Sequence, residues 1–318
     1  MHRIKTEPDG GSLASPQITI ITPCLNAEAF LSEALESVQN QDFKDIEHIV
    51  LDGGSTDGSL NILNTFPGLR ILSETDQGSH HAMNKGLELA KGDIIGFLNG
   101  DDTYEAGVFT DIAMHFAAEP DLDMLCGGDI VFRQDRHGMR QVIDRRYRGE
   151  SGLALSELLF GAPAFNARFY RRRLFEQIGN FDLTFDFSAD RDFLIRAALA
   201  ETRSISYEKP IYNYRMHSSS RTLDPRGKNK PAIAAEHIRM AENHLGNSSL
   251  TKAWRKGLHS WRAFESLRLV LFCLAAGKLG KALGAWRNAN TAWVEWIPTL
   301  LSASKIRQHR AKHYPNVG

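Results

Sequence analysis

Between positions 17 and 102, short apolar runs alternate with segments whose apolar residues recur at helical spacing. Ile18-Thr19-Ile20-Ile21 is rich in β-branched residues and reads as a strand. Glu47-His48-Ile49-Val50-Leu51, Leu69 to Ser73, and Ile94-Ile95-Gly96-Phe97-Leu98 read the same way. Asn26 is placed to cap a helix whose face carries Phe30, Leu31, Ala34, Leu35 and Val38. A second helix is expected from His81 to Lys91, with Ala82, Leu87, Leu89 and Ala90 mostly on one side and Gly92 as its stop. This alternation predicts a parallel sheet covered by helices on both faces. Ligands of such sheets bind outside the carboxyl ends of the strands, near a switch in strand order. Three loops meet that description: Thr22 to Asn26, Asp52 to Gly58, and Asn99 to Asp102. They are expected to converge on one crevice.

The chemistry is concentrated in Asn99-Gly100-Asp101-Asp102. Adjacent carboxylates repel each other and hold their charge best beside a cation. Oxygen ligands of this kind suit Mg²⁺ or Mn²⁺, ions that commonly take substrate phosphates as their remaining ligands. Gly100 would let the backbone approach a ligand. An isolated Asp-Asp also reads as a polar turn, but a second acidic loop, Asp52-Gly53-Gly54-Ser55-Thr56-Asp57-Gly58, stands at the equivalent place after another strand. The G-x-G-x-x-G and G-x-x-x-x-G-K-[ST] spacings are absent, and no Glu stands twelfth from Asp52, so dinucleotide, P-loop and calcium-loop readings fail. A nucleotide whose diphosphate is carried by a metal remains.

Ile18 to Asn26, Asp52 to Gly58, Ala82-Met83-Asn84-Lys85-Gly86 and Leu98 to Asp102 together resemble the family-2 glycosyltransferases. The resemblance covers roughly residues 17 to 222. It extends through Phe165 to Arg172, Ile178 to Asp182, and Ala189-Asp190-Arg191-Asp192-Phe193-Leu194-Ile195-Arg196. It implies a GT-A fold: a Rossmann-like, doubly wound mixed α/β sheet, here with a C-terminal helical extension. It also implies inverting transfer from a nucleotide-sugar, a UDP-sugar by expectation, to a glycan or lipid-linked acceptor in cell-surface polysaccharide synthesis. By the same resemblance, Asp102 assisted by Asp101 would bind Mn²⁺ or Mg²⁺, with His217 as a further ligand. Asp190 would be the general base. Thr22, Pro23, Asn26, Asp52, Ser55, Lys85, Asn99, Gly100 and Asp101 would contact the nucleotide-sugar.

Each role has a structural rival. Asp190 and Asp192 stand two apart at the start of a helix, where either could serve as base or favour the helix N-terminus. Lys85 reads equally as a solvated helix lysine, His217 as a hydrogen-bonded structural histidine, and Arg171-Arg172-Arg173 as a solvated face rather than an acceptor grip. Cys24 reads as a packing residue. The chain departs from the family pattern at Gly53, where relatives carry an aspartate that contacts the base. Further departures are His81 and Asn99, where relatives carry Asp, and Ala189, which replaces an acid. A non-catalytic nucleotide-sugar-binding or assembly protein retaining the fold is the competing function.

Composition adds a polarity along the chain. The 318 residues carry no formal net charge, yet residues 225–318 hold 16 Lys and Arg against 4 acids, while residues 1–224 hold 22 against 34. The expected organisation is a loose N-terminal tail (1–16) and a catalytic domain (17–224), divided into a nucleotide-binding half (17–102) and an acceptor-binding half (103–224). A basic helical extension (225–318) follows, entered through Asp224 to Pro231. Leu267 to Ala276 is apolar but shorter than the roughly 20 residues of a membrane span. Basic residues interleaved with Trp286, Trp293 and Trp296 suit peripheral contact with a membrane surface. The alternative is a bundle that buries the tryptophans. No nucleic-acid-binding motif accompanies the basic tail. Three scattered cysteines and no signal-peptide core in residues 1–16 lead to the expectation of a cytoplasmic protein, with the inner face of the cell membrane as its place if the helices bind lipid.

Overall fold

The computed structural model describes residues 4–5, 17–135, 137–146, 152–220 and 227–290. These form two compact units, one from Met1–Gly152 and Ala164–Arg215, the other from Leu153–Pro163 and Met216–Gly318. The first unit runs β1 (Ile4–Lys5), β2 (Ile18–Cys24), α1 (Leu31–Gln39), β3 (Ile46–Asp52), α2 (Ser59–Thr65), β4 (Leu69–Ser73), α3 (Ser79–Leu89), β5 (Ile94–Phe97), β6 (Thr103–Tyr104), α4 (Phe109–Ala118), β7 (Met124–Gln134) and β8 (Arg140–Arg146). After α5 (Leu155–Phe160), which belongs to the second unit, it continues with β9 (Arg168–Arg171), α6 (Arg172–Ile178), α7 (Ala189–Leu199) and β10 (Ser204–Arg215). The strands form one mixed sheet in the order β1-β4-β3-β2-β5-β9-β7-β10-β6, with β8 paired to β7. The block β4-β3-β2-β5 is parallel, as the alternation predicts. The chain goes outward from β2 to β3 and β4, then crosses to β5 on the other side. The switch in strand order therefore lies at β2.

Burial explains the strand sequences. Every residue of β2 is buried, as expected of a strand covered on both faces, so its sequence is a continuous run rather than an alternation. In α1 the buried set is Leu31, Ala34, Leu35 and Val38, a single helical stripe. α3 lies directly on β2: a Cβ at Gly86 would come within 2.4 Å of Ile21 Cγ2, so glycine sets that close approach. Six aromatic rings, Phe97, Phe165, Tyr170, Phe175, Phe181 and Phe193, pack around the start of α7. Phe193 stacks on Phe175 at 4.6 Å between centroids, which fixes the helix that carries Asp190 and Asp192.

The local readings need four corrections. Asn26 does not cap α1; it stands at φ +51°, and the helix begins only at Leu31 after Phe30. Thr22 and Pro23 are not part of a loop but belong to β2, paired in parallel with Val50 and Leu51. α3 spans Ser79–Leu89 rather than His81–Lys91, and Gly92 serves close packing instead of capping. Its missing Cβ would fall 2.6 Å from the Thr19 backbone nitrogen. Ile4–Lys5 is not loose but pairs antiparallel with β4; the rest of 1–16 lies outside the described residues.

His48 is buried in β3, its Nε2 2.9 Å from Thr22 Oγ1, and its Nδ1 has no hydrogen-bond partner among the described residues. Burial pushes its pKa down from 6.5 to about 3. The sign follows: above about 6.5 the imidazole is neutral folded and unfolded, and as pH falls toward 3 only the unfolded chain takes the proton. Stability should thus decline on acidification by up to about 1.4 kcal/mol per pH unit from this residue alone. Urea unfolding at pH 7 and pH 5 should show this loss in the wild type and lack it in His48→Gln. An equal loss in the variant would assign the acid limb elsewhere.

The second unit contains α5, α8 (Lys230–Leu245), α9 (Lys252–Ala275) and α10 (Leu279–Asn290). Lys230 and Pro231, read from sequence as linker, begin α8, where proline suits the first turn. Thr251 caps α9 by accepting from the Trp254 N–H at 3.3 Å. Trp261 is buried with His237 beside it at 4.9 Å, and Glu265 links His237 (3.1 Å) to Arg268 (2.8 Å). Trp286 is exposed; Trp293 and Trp296 lie outside the described residues. No helix among the described residues is long and apolar enough to cross a membrane.

Candidate active site

The three loops meet as the pattern predicts. The Gly53 N–H donates to the Cys24 carbonyl at 2.9 Å, closing the β3 loop onto the β2 loop. The Asn26 side-chain oxygen accepts the Thr56 N–H (2.9 Å), and the Asn26 N–H donates to Ser55 Oγ (2.8 Å). The left-handed backbone of Asn26 orients it for both bonds; asparagine tolerates that conformation better than most residues. The β5 loop closes from the other side. A Cβ at Gly100 would meet Cys24 Cβ at 3.0 Å and Ala27 Cβ at 3.3 Å. Gly100 therefore admits the close approach of the neighbouring β2 loop.

Within this frame several predicted contact residues face inward. Asp52 is buried and accepts from Ser73 Oγ (2.6 Å) and the N–H groups of Gly54 (3.3 Å) and Ser55 (3.2 Å), so its carboxylate shapes the loop. The Thr22 hydroxyl is engaged with His48. Cys24 is buried, and burial together with the charges of Asp52, Asp57 and Asp76 pushes its thiol far up, which makes it inert as expected. Lys85 forms an ion pair with Glu74 rather than standing unpaired on its helix. Of the three consecutive arginines, Arg171 pairs with Asp93 and Arg173 with Asp123 at 2.9 Å.

The two adjacent acids after β5 have different environments. Asp102 is buried: Oδ2 accepts from the Tyr212 hydroxyl (2.9 Å) and the Asn99 side-chain amide (3.1 Å), and Oδ1 from the Arg215 N–H (2.7 Å). Burial and the charge of Asp101 nonetheless hold its pKa well above the usual carboxylate range, against the pull of those three donors. Asp101 is half-buried, and its carbonyl accepts from Arg215 Nε at 2.9 Å. The Arg215 guanidinium is 1% exposed and lies over Phe30 and Phe132, at 4.6 and 4.8 Å from their centroids. It also bonds Glu33 at 2.6 Å and Gln134. Asn99, the apparent loss from the acidic motif, thus serves as a donor to Asp102.

Asp190 and Asp192 are also distinguished. Asp192 is buried and paired with Arg196 at 2.8 Å, while Arg196 donates to the carbonyls of Ile178, Gly179 and Asn180. It belongs to the clasp that joins α6 to α7. Asp190 is half-buried, and its one hydrogen bond among the described residues is from the Arg191 N–H to Oδ1 (2.7 Å). Tyr214 relates the two acidic centres: burial and the charges of Asp129, Asp102 and Asp190 all push its phenol up. Its ring packs 4.6 Å from that of Tyr212, whose hydroxyl holds Asp102. His217 belongs to the second unit, where its Nδ1 accepts the Ser219 N–H at 3.3 Å.

Among the described residues no three His, Cys, Asp or Glu side chains could enclose a metal ion. Two adjacent acids, one raising the pKa of the other, fit the alternative mode, in which Mg²⁺ or Mn²⁺ binds through one or two carboxylates and takes its other ligands from a substrate diphosphate.

Three residues that matter here escaped the sequence reading. Asp76 sits beside Gly53: a Cβ there would come within 2.7 Å of its Oδ2. Its position directly after β4, at the same end of the sheet as the other loops, was the available signal. Tyr212 and Arg215 carried none, because their partners are more than 100 positions away in sequence.

Comparison with known proteins places the chain in a family and a fold. Residues 19–179 match the family model of glycosyl transferase family 2. A PGL/p-HBAD biosynthesis glycosyltransferase of Mycobacterium bovis is 38% identical over 191 residues, 58% of this chain and 70% of the relative. The putative glycosyltransferase EpsH of Bacillus subtilis is 28% identical over 220 residues, 65% and 63% of the two chains. In fold, the chain resembles S. aureus TarS 1-349 in complex with UDP-GlcNAc, with a TM-score of 0.63 at 20% identity and 92% of each chain covered. It also resembles a mannosyltransferase of Pyrobaculum calidifontis in complex with GDP-Man and Mn²⁺, with a TM-score of 0.53 at 18% identity, covering 92% and 87%. The chain belongs to glycosyl transferase family 2 and is a glycosyltransferase of GT-A fold.

Proposed function

We propose that this protein is an inverting, metal-dependent glycosyltransferase. It moves a sugar from a UDP-sugar to a hydroxyl of a glycan or lipid-linked acceptor in cell-surface glycan synthesis. The observation that carries the reading is that the carboxylates of Asp102 and Asp190 both add to burial in raising the pKa of the Tyr214 phenol, whose ring packs 4.6 Å from that of Tyr212, the residue whose hydroxyl holds Asp102. Asp190 accepts the proton of the acceptor hydroxyl as that oxygen bonds to the anomeric carbon and the bond to the diphosphate breaks. One displacement of this kind needs a single general base and no protein nucleophile. Asp101 would be the principal carboxylate toward Mn²⁺ or Mg²⁺, with Asp102, both of whose oxygens accept hydrogen bonds, as the adjacent supporting acid. This exchanges the order of the two residues expected from the resemblance. When bound, the ion supplies Lewis acidity toward the leaving diphosphate.

The nucleoside is held by the loop that Asn26, Asp52 and Ser55 build. Asp76, whose carboxylate fills the side-chain space beside Gly53, is proposed to read the base. The relative named as a PGL/p-HBAD biosynthesis glycosyltransferase and the neighbours solved with UDP-GlcNAc and with GDP-Man and Mn²⁺ support a nucleotide-sugar donor. Calorimetry of UDP, GDP and CDP with and without Mn²⁺ tests this. UDP should bind in a metal-dependent manner. Asp101→Ala should abolish the metal dependence, and Asp76→Ala should reduce the preference for UDP by about tenfold, the value of one hydrogen bond to a charged group. Absence of binding by every nucleotide would favour the non-catalytic reading instead.

A further inference from the structure

The second unit exposes apolar side chains in one concentrated place. Leu271 and Leu274 near the end of α9, and Leu279, Leu283 and Trp286 on α10, are 45–65% exposed. On α10 the three fall at i, i+4 and i+7, so they form one stripe along the helix. Scattered exposed leucines need no explanation, but five large apolar side chains within 16 positions mark an interaction surface. The surrounding sequence bears one sign of charge. From Ser266 to Val294 there is no acid, while Arg268, Lys278, Lys281 and Arg287 occur along it. Glu265, the nearest acid before this stretch, is buried and paired with Arg268 and His237.

We propose that the α9–α10 hairpin docks on an anionic phospholipid surface, with the Leu279–Leu283–Trp286 stripe in the headgroup layer. A basic helix with Leu and Trp on one face binds such surfaces by apolar insertion and attraction to anionic lipid acting together. Charge favours this occupant over a second copy of the chain, which would bring two segments of the same positive charge together. The inference is independent of the donor and of the chemistry at Asp190, because its residues all lie in the second unit.

Vesicle flotation of the full chain tests it. The protein should float with phosphatidylcholine–phosphatidylglycerol vesicles at low salt, remain behind with pure phosphatidylcholine, and be released by high salt as screening shortens the Debye length. The double substitution Leu279→Asp, Leu283→Asp should lower the partition coefficient by at least about tenfold without changing the melting temperature or transfer to a soluble acceptor. Failure of the wild type to float with anionic vesicles overturns the proposal. So does unchanged flotation of the double variant, which would place the interaction elsewhere. A dimer in light scattering that the double variant dissolves would assign the face to a second copy and overturn it equally.

Discussion

Replacing Asp190 by asparagine should lower sugar transfer by about two to four orders of magnitude, the usual effect of removing a general base. Nucleotide affinity and melting temperature should remain close to the wild type. The substitution is isosteric, and the hydrogen bond from the Arg191 N–H to Oδ1 survives because an amide oxygen accepts as well. Asp192→Asn should do the reverse. It discharges the buried partner of Arg196, the guanidinium that ties α7 to the carbonyls of Ile178, Gly179 and Asn180. Its first consequence is therefore lost stability, about 1–3 kcal/mol for a charged hydrogen bond in a partly buried pair. Steady-state kinetics beside thermal melts separate the two. If Asp190→Asn turns over normally while Asp192→Asn is inactive at an unchanged melting temperature, the base is Asp192.

Arg215→Met should be the most destabilising single substitution at the site. The guanidinium is nearly inaccessible and holds three partners from three segments: Glu33 on α1, the Asp101 carbonyl in the β5 loop, and Gln134 at the end of β7. Methionine keeps the apolar length between Phe30 and Phe132 but supplies no donor. Breaking a buried ion pair costs roughly 3–5 kcal/mol, and about 2–4 is expected here because Glu33 is half-exposed. For a chain of 318 residues that corresponds to a fall in melting temperature of about 3–6 °C. Metal-dependent nucleotide binding should weaken in parallel, since the loop bearing Asp101 loses its anchor while the Arg215 N–H still holds Asp102. A variant with wild-type melting and wild-type affinity would remove Arg215 from this role.

The reach of the linear reading is clearest at particular residues. Leu69–Ser73 was legible to the residue, because an apolar run bounded by Pro67-Gly68 and a polar cluster leaves little choice. The convergence of the β2, β3 and β5 loops followed from alternation, since parallel strands place their carboxyl ends on one side. Asn26 was misread: its side chain can cap a helix or bridge loops, and Thr56, far away in sequence, decided for the bridge. Lys85 and Arg173 were left open between ligand and solvent, and each instead found an acid, Glu74 and Asp123. Leu153–Pro163 groups with the C-terminal helices, a division that no change in composition announces.

Periodicity and turn residues determined the element types, the parallel half of the sheet and the end of it on which the acidic loops gather, while the family was legible from motif resemblance. The element types and the parallel block depend on local backbone preference and on which face of an element is apolar. What each carboxylate does was decided by tertiary structure alone. Asp101 and Asp102 are chemically identical neighbours, as Asp190 and Asp192 nearly are. Tyr212 and Arg215, 110 and 113 positions away, take Asp102 inward, and Arg196 takes Asp192. A carboxylate's role depends on the dielectric and donors around it, and those are supplied by segments that only folding brings together.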